Sequence, residues 1–358
     1  MSDSEANSHN LFPIVTPQGN GFIDRTGKIA IEPKFDWVGN FSEGLAAVMI
    51  GEQIGYINSA GKWAIEPKFK FDEEIDGLEN FSEGLAVASF VDKEQIFFQK
   101  GYINKQGMIA IQPQFERAYP FSEGIARVKL LDNNSSRSGF ITQTGEILFT
   151  HPFLSDSRDF CEGLAAVKIG NKWGYIDLQG RITIQPQFMG ARDFCEGLAA
   201  VIDVRGKWGY IDKAGYFVIP PKFNPVLEFT TAPSKFSEGL AAVGADDGTK
   251  RWGYINKKGE FAIEPRFDSG YAGCSSFSEG LAWVTVGCEL EQRDITTGKY
   301  GYIDKEGKFV LEPYFDFASD FSHGLAKVQI DDSSFVERGK WGYINKSGQF
   351  VWQWMYVS

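Results

Sequence analysis

The sequence predicts an all-β protein that is built from nine copies of one short unit. A β-hairpin of constant length recurs along the chain, as in "GYIDKEGKFVLEPYF" at 301–315. A second segment, such as "FSEGLAAV" at 41–48, occurs eight times between the hairpins. No helical periodicity interrupts these segments. Together they predict nine tandem three-stranded antiparallel meanders in a curved, β-propeller-like array, with an open superhelical β-solenoid of hairpins as the alternative.

The hairpin is defined by two glycines six residues apart. Numbered as repeats 1 to 9, the hairpins begin at residues 21, 55, 101, 139, 174, 209, 253, 301 and 342. Asp or Asn lies three residues after the first Gly in eight copies, and Thr142 is the exception. Such a side chain can accept hydrogen bonds from the turn backbone, and the second Gly tolerates a positive φ. The flanking segments are rich in β-branched and aromatic residues, which indicates strands.

Two further features complete the unit. Pro precedes a Phe by two residues at the end of seven hairpins, and Pro has no N–H to donate to a β-ladder. "LAAV" predicts a third strand, and "LFPIV" at 11–15 predicts the corresponding strand of repeat 1. A propeller blade usually has four strands, and the link of the type "FDxAxxF" between hairpin and "FSEG" is a candidate for the fourth.

Composition excludes several classes of protein. The 358 residues carry a net charge of −11 and have no basic run, which argues against nucleic-acid binding. The acidic start, "MSDSEANSHN", predicts a flexible polar tail over residues 1–10, ahead of a single repeat array over 11–358. Neither a secretory signal nor a long apolar run is visible, which favours a cytoplasmic protein without membrane insertion.

No catalytic or metal-binding pattern is present. The three His and four Cys are scattered, and no nucleophile, phosphate-binding or zinc spacing occurs. We therefore expect no enzymatic activity, no cofactor and no small-molecule ligand. Seven Glu recur in the "SEG" or "CEG" turns, at positions 43, 83, 123, 162, 196, 238 and 279. They predict acceptors for turn N–H groups or, alternatively, a line of carboxylates that attracts cations.

The hairpins resemble a known family. "KWGYIDLQG" at 172–180, "GKWGYIDKAG" at 206–215, "RWGYINKKG" at 251–259 and "KWGYINKSG" at 340–348 are similar to WG repeats, and the resemblance runs from about residue 11 to the end. It implies a propeller-like fold and a role in mediating interactions. Five repeats lack the Trp, which is replaced by Asn20, Ile54, Lys100, Ser138 and Tyr300.

The favoured function is a non-enzymatic scaffold that binds a protein partner, which the sequence does not identify. The alternative is an aromatic array that binds carbohydrate or cell envelope, and it requires exposed rings at Trp173, Tyr175 and Tyr210. The candidate contact residues are Phe97 and Phe98 in an inserted turn, and Trp352, Trp354 and Tyr356 in the last repeat. For the inserted pair, packing on a neighbouring repeat is the alternative; for the last repeat, the alternative is a terminal cap.

Overall fold

The computed structural model describes residues 11–70, 80–91, 98–131, 137–151, 154–224, 232–245, 251–268, 273–288, 290–291, 294–295, 298–330 and 339–355. The predicted tail over 1–10 lies outside them. All regular structure in these ranges is β-strand, so they include no helix that could cross a membrane. The chain divides into two compact units, Met1–Gly170 with Ile176–Arg181 and Asn171–Tyr175 with Ile182–Ser358. The repeats continue through both units, and the single array stays a prediction.

The strands of repeats 1 to 5 follow the predicted order. They are β1 (Phe12–Thr16), β2 (Gly19–Ile23), β3 (Ile29–Phe35), β4 (Trp37–Val38), β5 (Leu45–Ile50), β6 (Gln53–Asn58), β7 (Trp63–Lys70), β8 (Leu85–Val91), β9 (Phe98–Asn104), β10 (Ile109–Ala118), β11 (Ile125–Leu130), β12 (Arg137–Thr142), β13 (Ile147–Thr150), β14 (Leu154–Ser157), β15 (Leu164–Ile169), β16 (Lys172–Asp177) and β17 (Ile182–Phe188). In the first unit, sheets form in the orders β1-β2-β3, β4-β5-β6-β7 and β13-β12-β11-β10-β9-β8. A fourth sheet has the order β14-β15-β16-β17.

Repeats 6 to 9 supply the remaining strands. They are β18 (Gly190–Ala191), β19 (Ala199–Ile202), β20 (Trp208–Ile211), β21 (Phe217–Phe223), β22 (Ala241–Gly244), β23 (Trp252–Ile255), β24 (Phe261–Phe267), β25 (Ala282–Val286), β26 (Leu290–Glu291), β27 (Asp294–Ile295), β28 (Lys299–Ile303), β29 (Phe309–Phe315), β30 (Phe317–Ala318), β31 (Leu325–Ile330), β32 (Lys340–Asn345) and β33 (Phe350–Met355). The second unit has sheets in the orders β18-β19-β20-β21, β22-β23-β24, β25-β28-β29 and β30-β31-β32-β33, with β26 and β27 as a small separate hairpin.

The predicted fourth strand comes from the link. β4, β18 and β30 are two-residue strands in that segment, and each pairs with the "LAAV" strand that follows it. In β10 the link continues the hairpin strand without a break, so repeats 3 and 4 share one six-stranded sheet. Counted by repeat there are nine meanders among the described residues, whereas counted by sheet there are eight blade-like sheets.

The hairpin turn has the predicted chemistry. In repeat 5, Asp177 Oδ1 accepts the N–H groups of Gln179 and Arg181 at 3.0 and 2.9 Å. Gly180 has a φ of +73°, which a residue with a side chain rarely adopts. The Asx bonds and the glycine together fix the length of the turn, and this explains why no copy gains or loses a residue.

The first Gly of each hairpin is required by close backbone approach. An ideal Cβ on Gly253 would lie 2.5 Å from the carbonyl oxygen of Ile263 and 2.8 Å from the nitrogen of Pro265. At eight of the nine positions such a Cβ would lie 2.4–2.8 Å from a backbone atom of the following strand, and at Gly139 the nearest atom is the Thr150 methyl carbon at 2.9 Å. The backbone of the second strand therefore passes where a side chain would project.

The aromatic residue that follows the first Gly of each hairpin belongs to the core, and we call such equivalent positions in the repeats a column. Tyr210 and Tyr254 are fully buried, and each donates its hydroxyl to a carbonyl of the following link, at 3.0 Å to Ser234 and 2.9 Å to Ser275. The ring of Tyr210 also meets Phe236 of the next "FSEG" segment edge-on, at 4.9 Å between centroids. Because both the ring and the hydroxyl have partners, this column belongs to the scaffold.

The "FSEG" segment is a two-residue turn with strained geometry. Ser42 and Leu45 exchange two main-chain hydrogen bonds of 2.8 and 3.0 Å across Glu43 and Gly44, whose φ angles are +51° and +84°. Positive φ at both central residues defines a type I′ turn, which favours Asn-Gly. All seven Glu and His323 adopt this left-handed conformation. Glu costs more than Asn or Gly there, so a compensating interaction is expected.

That interaction links each repeat to the next. The Glu43 carboxylate accepts the Gly84 N–H of repeat 3 at 3.0 Å and pairs with Lys105 of the same repeat at 3.1 Å. The bond to the next turn recurs at Glu83, Glu123, Glu196, Glu238 and Glu279, and we call these residues with Glu43 the glutamate ladder. Of the two sequence interpretations, the turn acceptor is correct, although the N–H belongs to the following repeat.

Glu238 allows a test of whether the hydrogen bonds of its carboxylate offset the backbone strain of the turn. Glu238→Ala removes the bonds to Gly280 and Lys305 but keeps a side chain in the left-handed region, so we expect a loss of about 2 kcal/mol in the free energy of unfolding. Glu238→Gly removes the same bonds and also relieves the strain, so its loss should be about 1 kcal/mol smaller. Urea unfolding measures both, and an Ala variant as stable as the Gly variant would contradict the argument.

Candidate partner-contact surface

The aromatic rings that carbohydrate binding would require are buried. Tyr175 and Tyr210 are 0% exposed and Trp173 is 8% exposed. A sugar ring stacks only on an aromatic face that solvent can reach, so the predicted alternative of an aromatic carbohydrate-binding array loses the residues on which it rested. The physical reason is that these columns pack between strands and repeats.

The structure separates the five predicted contact residues. Phe97 and Tyr356 lie outside the described residues, and Phe98 is the first residue of β9, where its side chain is also outside them. Trp352 is half-buried, whereas Trp354 is only 8% exposed. Trp354 is therefore not an exposed contact residue: its ring lies 5.8 Å from that of Tyr343 and packs within the last sheet.

The last sheet carries an aromatic cluster around one lysine. Lys327 Nζ lies 4.6 Å from the ring centroid of Trp341 and 5.7 Å from that of Trp354. Phe317 extends the cluster, with its ring 5.4 Å from Trp341. Burial lowers the pKa of Lys327. We call Lys327, Trp341 and Trp354 the terminal lysine cluster.

Trp354 also explains the missing proline of the last hairpin. It pairs with Trp341 in a ladder that continues from Trp352 to Met355, whereas in sister hairpins the pairing shifts near the Pro. A residue with an N–H lets β33 pair more regularly than the other final strands. The cap interpretation of the last repeat stays a prediction.

Repeat 6 carries a strip of exposed apolar side chains at the start of one strand. Tyr216 is 74% exposed, and Phe217 and Val218 at the start of β21 are 41% and 45% exposed. Pro220, two residues further along β21, is exposed as well. We call Tyr216, Phe217, Val218 and Pro220 the β21 strip. Phe217 contacts Phe188 of the preceding repeat at 6.0 Å, which anchors the strip to its neighbour.

Sister repeats carry mostly polar residues at the position of Tyr216 and only polar residues at the position of Pro220. The position of Tyr216 is otherwise held by Lys28, Lys62, Met108, Glu146, Arg181, Glu260, Lys308 and Gln349. The position of Pro220 is otherwise held by Glu32, Glu66, Gln112, Thr150, Gln185, Glu264, Glu312 and Gln353. Fold requirements do not explain the difference, because the same strand forms with Lys and Glu elsewhere. These differences between equivalent positions are visible in the sequence, but only the structure shows which of the positions face solvent.

The charged groups beside the strip already have roles in the scaffold. Lys222 Nζ donates to the Gly259 carbonyl of repeat 7 at 2.9 Å and lies 5.2 Å from the ring centroid of Phe223. Within the described ranges, no three His, Cys, Asp or Glu side chains lie close enough to hold a metal ion. The strip therefore offers apolar contact area, with Tyr216 as the side chain that carries a hydroxyl.

The repeat pattern matches one protein-family model over most of the chain. That model, described as the WG containing repeat, matches residues 21–53, 54–90, 101–134, 139–173, 173–208, 208–247, 252–287 and 300–332. The chain belongs to the WG-repeat family. The eight matched segments confirm the resemblance seen in the hairpins, and the ninth hairpin lies beyond the last of them. The comparison with curated proteins found no matching relative.

One solved structure of similar architecture establishes the fold of this WG-repeat protein. A crystal structure described as that of the eukaryotic initiation factor has 11% identity and a TM-score of 0.64, and the match covers 97% of this chain and 96% of that one. The structure of BamB from Moraxella catarrhalis has 9% identity and a TM-score of 0.47, with 82% and 93% covered. The fold is an all-β propeller of small antiparallel sheets, eight when counted by sheet. The predicted propeller-like fold is thus confirmed, and the open β-solenoid given as its alternative is not observed.

Proposed function

We propose that this WG-repeat protein is a non-enzymatic scaffold that binds a protein partner through the β21 strip. The observation that carries the proposal is the run of exposed apolar side chains from Tyr216 to Val218, at a place where sister repeats are mostly polar at the first position. Propellers commonly present binding surfaces on a rigid framework, and the glutamate ladder and buried tyrosines supply such a framework here.

Side-chain contact is the mode of binding that fits the strip. Apolar side chains that become fully buried at an interface contribute on the order of 2 kcal/mol each, and Tyr is enriched among the residues that dominate binding. β21 is the last strand of its sheet, but Pro220 and Pro221 have no N–H groups to offer. Proline on an edge strand opposes pairing with a further strand, so recognition by side chains is favoured over strand addition.

The test replaces the strip with residues from repeat 7. Tyr216→Glu, Val218→Ala and Pro220→Glu together introduce the residues found at Glu260, Ala262 and Glu264. Because those residues already occur in β24 and directly before it, the variant should melt within a few degrees of the wild type. Affinity capture from the native cell should retain a partner on immobilised wild type and lose it at least tenfold on the variant.

A matched control distinguishes the strip from exposed apolar residues in general. Met108→Lys removes another exposed apolar side chain and introduces the residue of Lys62, the same position in repeat 2. This control should retain the partner. Equal capture by the triple variant, or no protein retained by the wild type beyond a blank matrix, would overturn the proposal.

A further inference from the structure

In two other repeats, the residue at the position equivalent to Lys327 donates a hydrogen bond to a carboxylate. Lys327 is the third residue of the "LAxV" strand, where sister repeats have Ala47, Val87, Arg127, Ala166, Ala200, Ala242 and Trp283. Two of these can donate a side-chain hydrogen bond, namely Arg127 in repeat 4 and Trp283 in repeat 8. In both cases the acceptor comes from the following repeat.

The Arg127 pair shows the geometry most clearly. Its Nε lies 2.6 Å from Asp159 Oδ1, and its guanidinium lies 4.0 Å from the ring centroid of Tyr119. Asp159 directly precedes the "FCEG" Phe of repeat 5. The cation therefore rests on an aromatic ring and is neutralised by a carboxylate of the next repeat.

The same relation joins repeats 8 and 9. Asp320 directly precedes the "FSHG" Phe of repeat 9, and its carboxylate interacts with the side chains of Trp283 and Ser275 in repeat 8. A donor in the "LAxV" column thus meets a carboxylate at the residue before the next Phe twice in this chain. The spacing between the two residues is 32 in the first case and 37 in the second.

Lys327 is the donor of this column in repeat 9. Its ammonium has the aromatic support, from Trp341 and Trp354, that Arg127 has from Tyr119. Among the described residues no carboxylate forms an ion pair with it. An aromatic face attracts a cation but does not replace a hydrogen-bond acceptor for three ammonium protons.

We infer that the terminal lysine cluster binds a carboxylate, presented by an acidic side chain of a partner protein in the way that Asp159 is presented to Arg127. Charge complementarity selects this ligand, because the cluster contains a cation that no carboxylate neutralises in the described part of the chain. This site is independent of the β21 strip, since it lies in a different repeat and takes a different chemical group.

The test uses a short acidic peptide as the probe. The indole N–H signals of Trp341 and Trp354, assigned by Trp→Phe variants, are followed by NMR while acetyl-Glu-Glu-Glu-amide is added at low salt. We expect a saturable shift with a dissociation constant in the millimolar range, because a short peptide makes few contacts besides the charged hydrogen bond to Lys327. Acetyl-Gln-Gln-Gln-amide should give no saturable shift.

Variants locate the binding group. Lys327→Arg should retain the shift, and Lys327→Met, which keeps an unbranched apolar stem, should weaken binding at least tenfold. Lys258→Met, at an exposed hairpin lysine, serves as the matched control and should bind as the wild type does. The inference is wrong if the wild type shows no saturable shift up to about 20 mM peptide, or if the glutamine peptide produces the same shift. This outcome does not depend on whether any variant folds.

Discussion

Gly253→Ala should destabilise this WG-repeat protein by more than about 3 kcal/mol. The added Cβ would lie 2.5, 2.8 and 3.0 Å from the Ile263 oxygen, the Pro265 nitrogen and the Glu264 carbonyl carbon. All three are backbone atoms of β24, so no side chain can rotate away and the strand itself has to move. Urea unfolding of the purified protein, followed by circular dichroism, measures the loss.

Gly239→Ala provides the matched control for this prediction. Gly239 has a φ of +87°, so Ala is strained there, but an added Cβ would meet no atom within 4 Å. The expected loss is about 1 kcal/mol, from backbone strain alone. If the two variants were equally stable, steric exclusion by the second strand would not explain the first Gly of the hairpin.

Acidification should destabilise the protein through the glutamate ladder. Burial on its own raises the pKa of Glu238, but the hydrogen bonds from Lys305 and the Gly280 N–H, with the charge of Lys305, bring the pKa below its ordinary 4.5. At Glu43 and Glu279 burial also raises the pKa, but the hydrogen bonds and charges of Lys105 and Lys346 outweigh it, so the pKa of each carboxyl is lowered. The folded state thus binds fewer protons than the unfolded state near pH 4.

The sign of the effect follows from linkage. Because the folded pKa values are depressed, the stabilisation is present above about pH 4.5 and is lost as the pH falls through the lower folded values. Unfolding by urea at a series of pH values between 6 and 3 should show a falling midpoint. A variant with Gln at positions 43, 238 and 279 should be less stable at pH 6 and show a shallower decline. An equally steep decline in that variant would show that the acid sensitivity arises elsewhere.

Much of the fold could be predicted from local sequence. The turn at Asp177 to Gly180, the strands around it and the extra link strands such as β18 all depend on residues within a few positions of one another. The positions that hold Tyr or Phe in every repeat are also predicted to be buried, because such recurrence is typical of a shared core. Repetition strengthened each inference, since nine copies exclude accidental spacing.

Interactions between repeats could not be predicted in the same way. The bond from Glu43 to Gly84 spans 41 residues, and its existence depends on how one turn is placed beside the next. The pairing of Arg127 with Asp159 depends on the same placement. Sequence suggested an acceptor at Glu43, but it could not show that the carboxylate reaches into the following repeat.

The candidate contact residues depended on exposure, which sequence columns alone do not give. Trp354 is unusual because it stands where most hairpins have Pro, yet it packs on Tyr343 and beside Lys327. Tyr216 and Pro220 were equally unusual in their columns, and only the structure shows that these columns face solvent. Deviations from a repeat are therefore informative about binding once each column is known to be buried or exposed.

The glutamate ladder has a consequence for how such a chain can change length. Each junction uses one carboxylate from the earlier repeat and one Gly N–H from the later one, about 40 residues apart. A duplication or deletion of one whole repeat therefore recreates an identical junction, whereas a break within a repeat leaves a strained turn without its acceptor. At the eighth such turn His323 takes the place of Glu. Gene duplication can thus lengthen this protein in whole-repeat steps without the invention of a new interface.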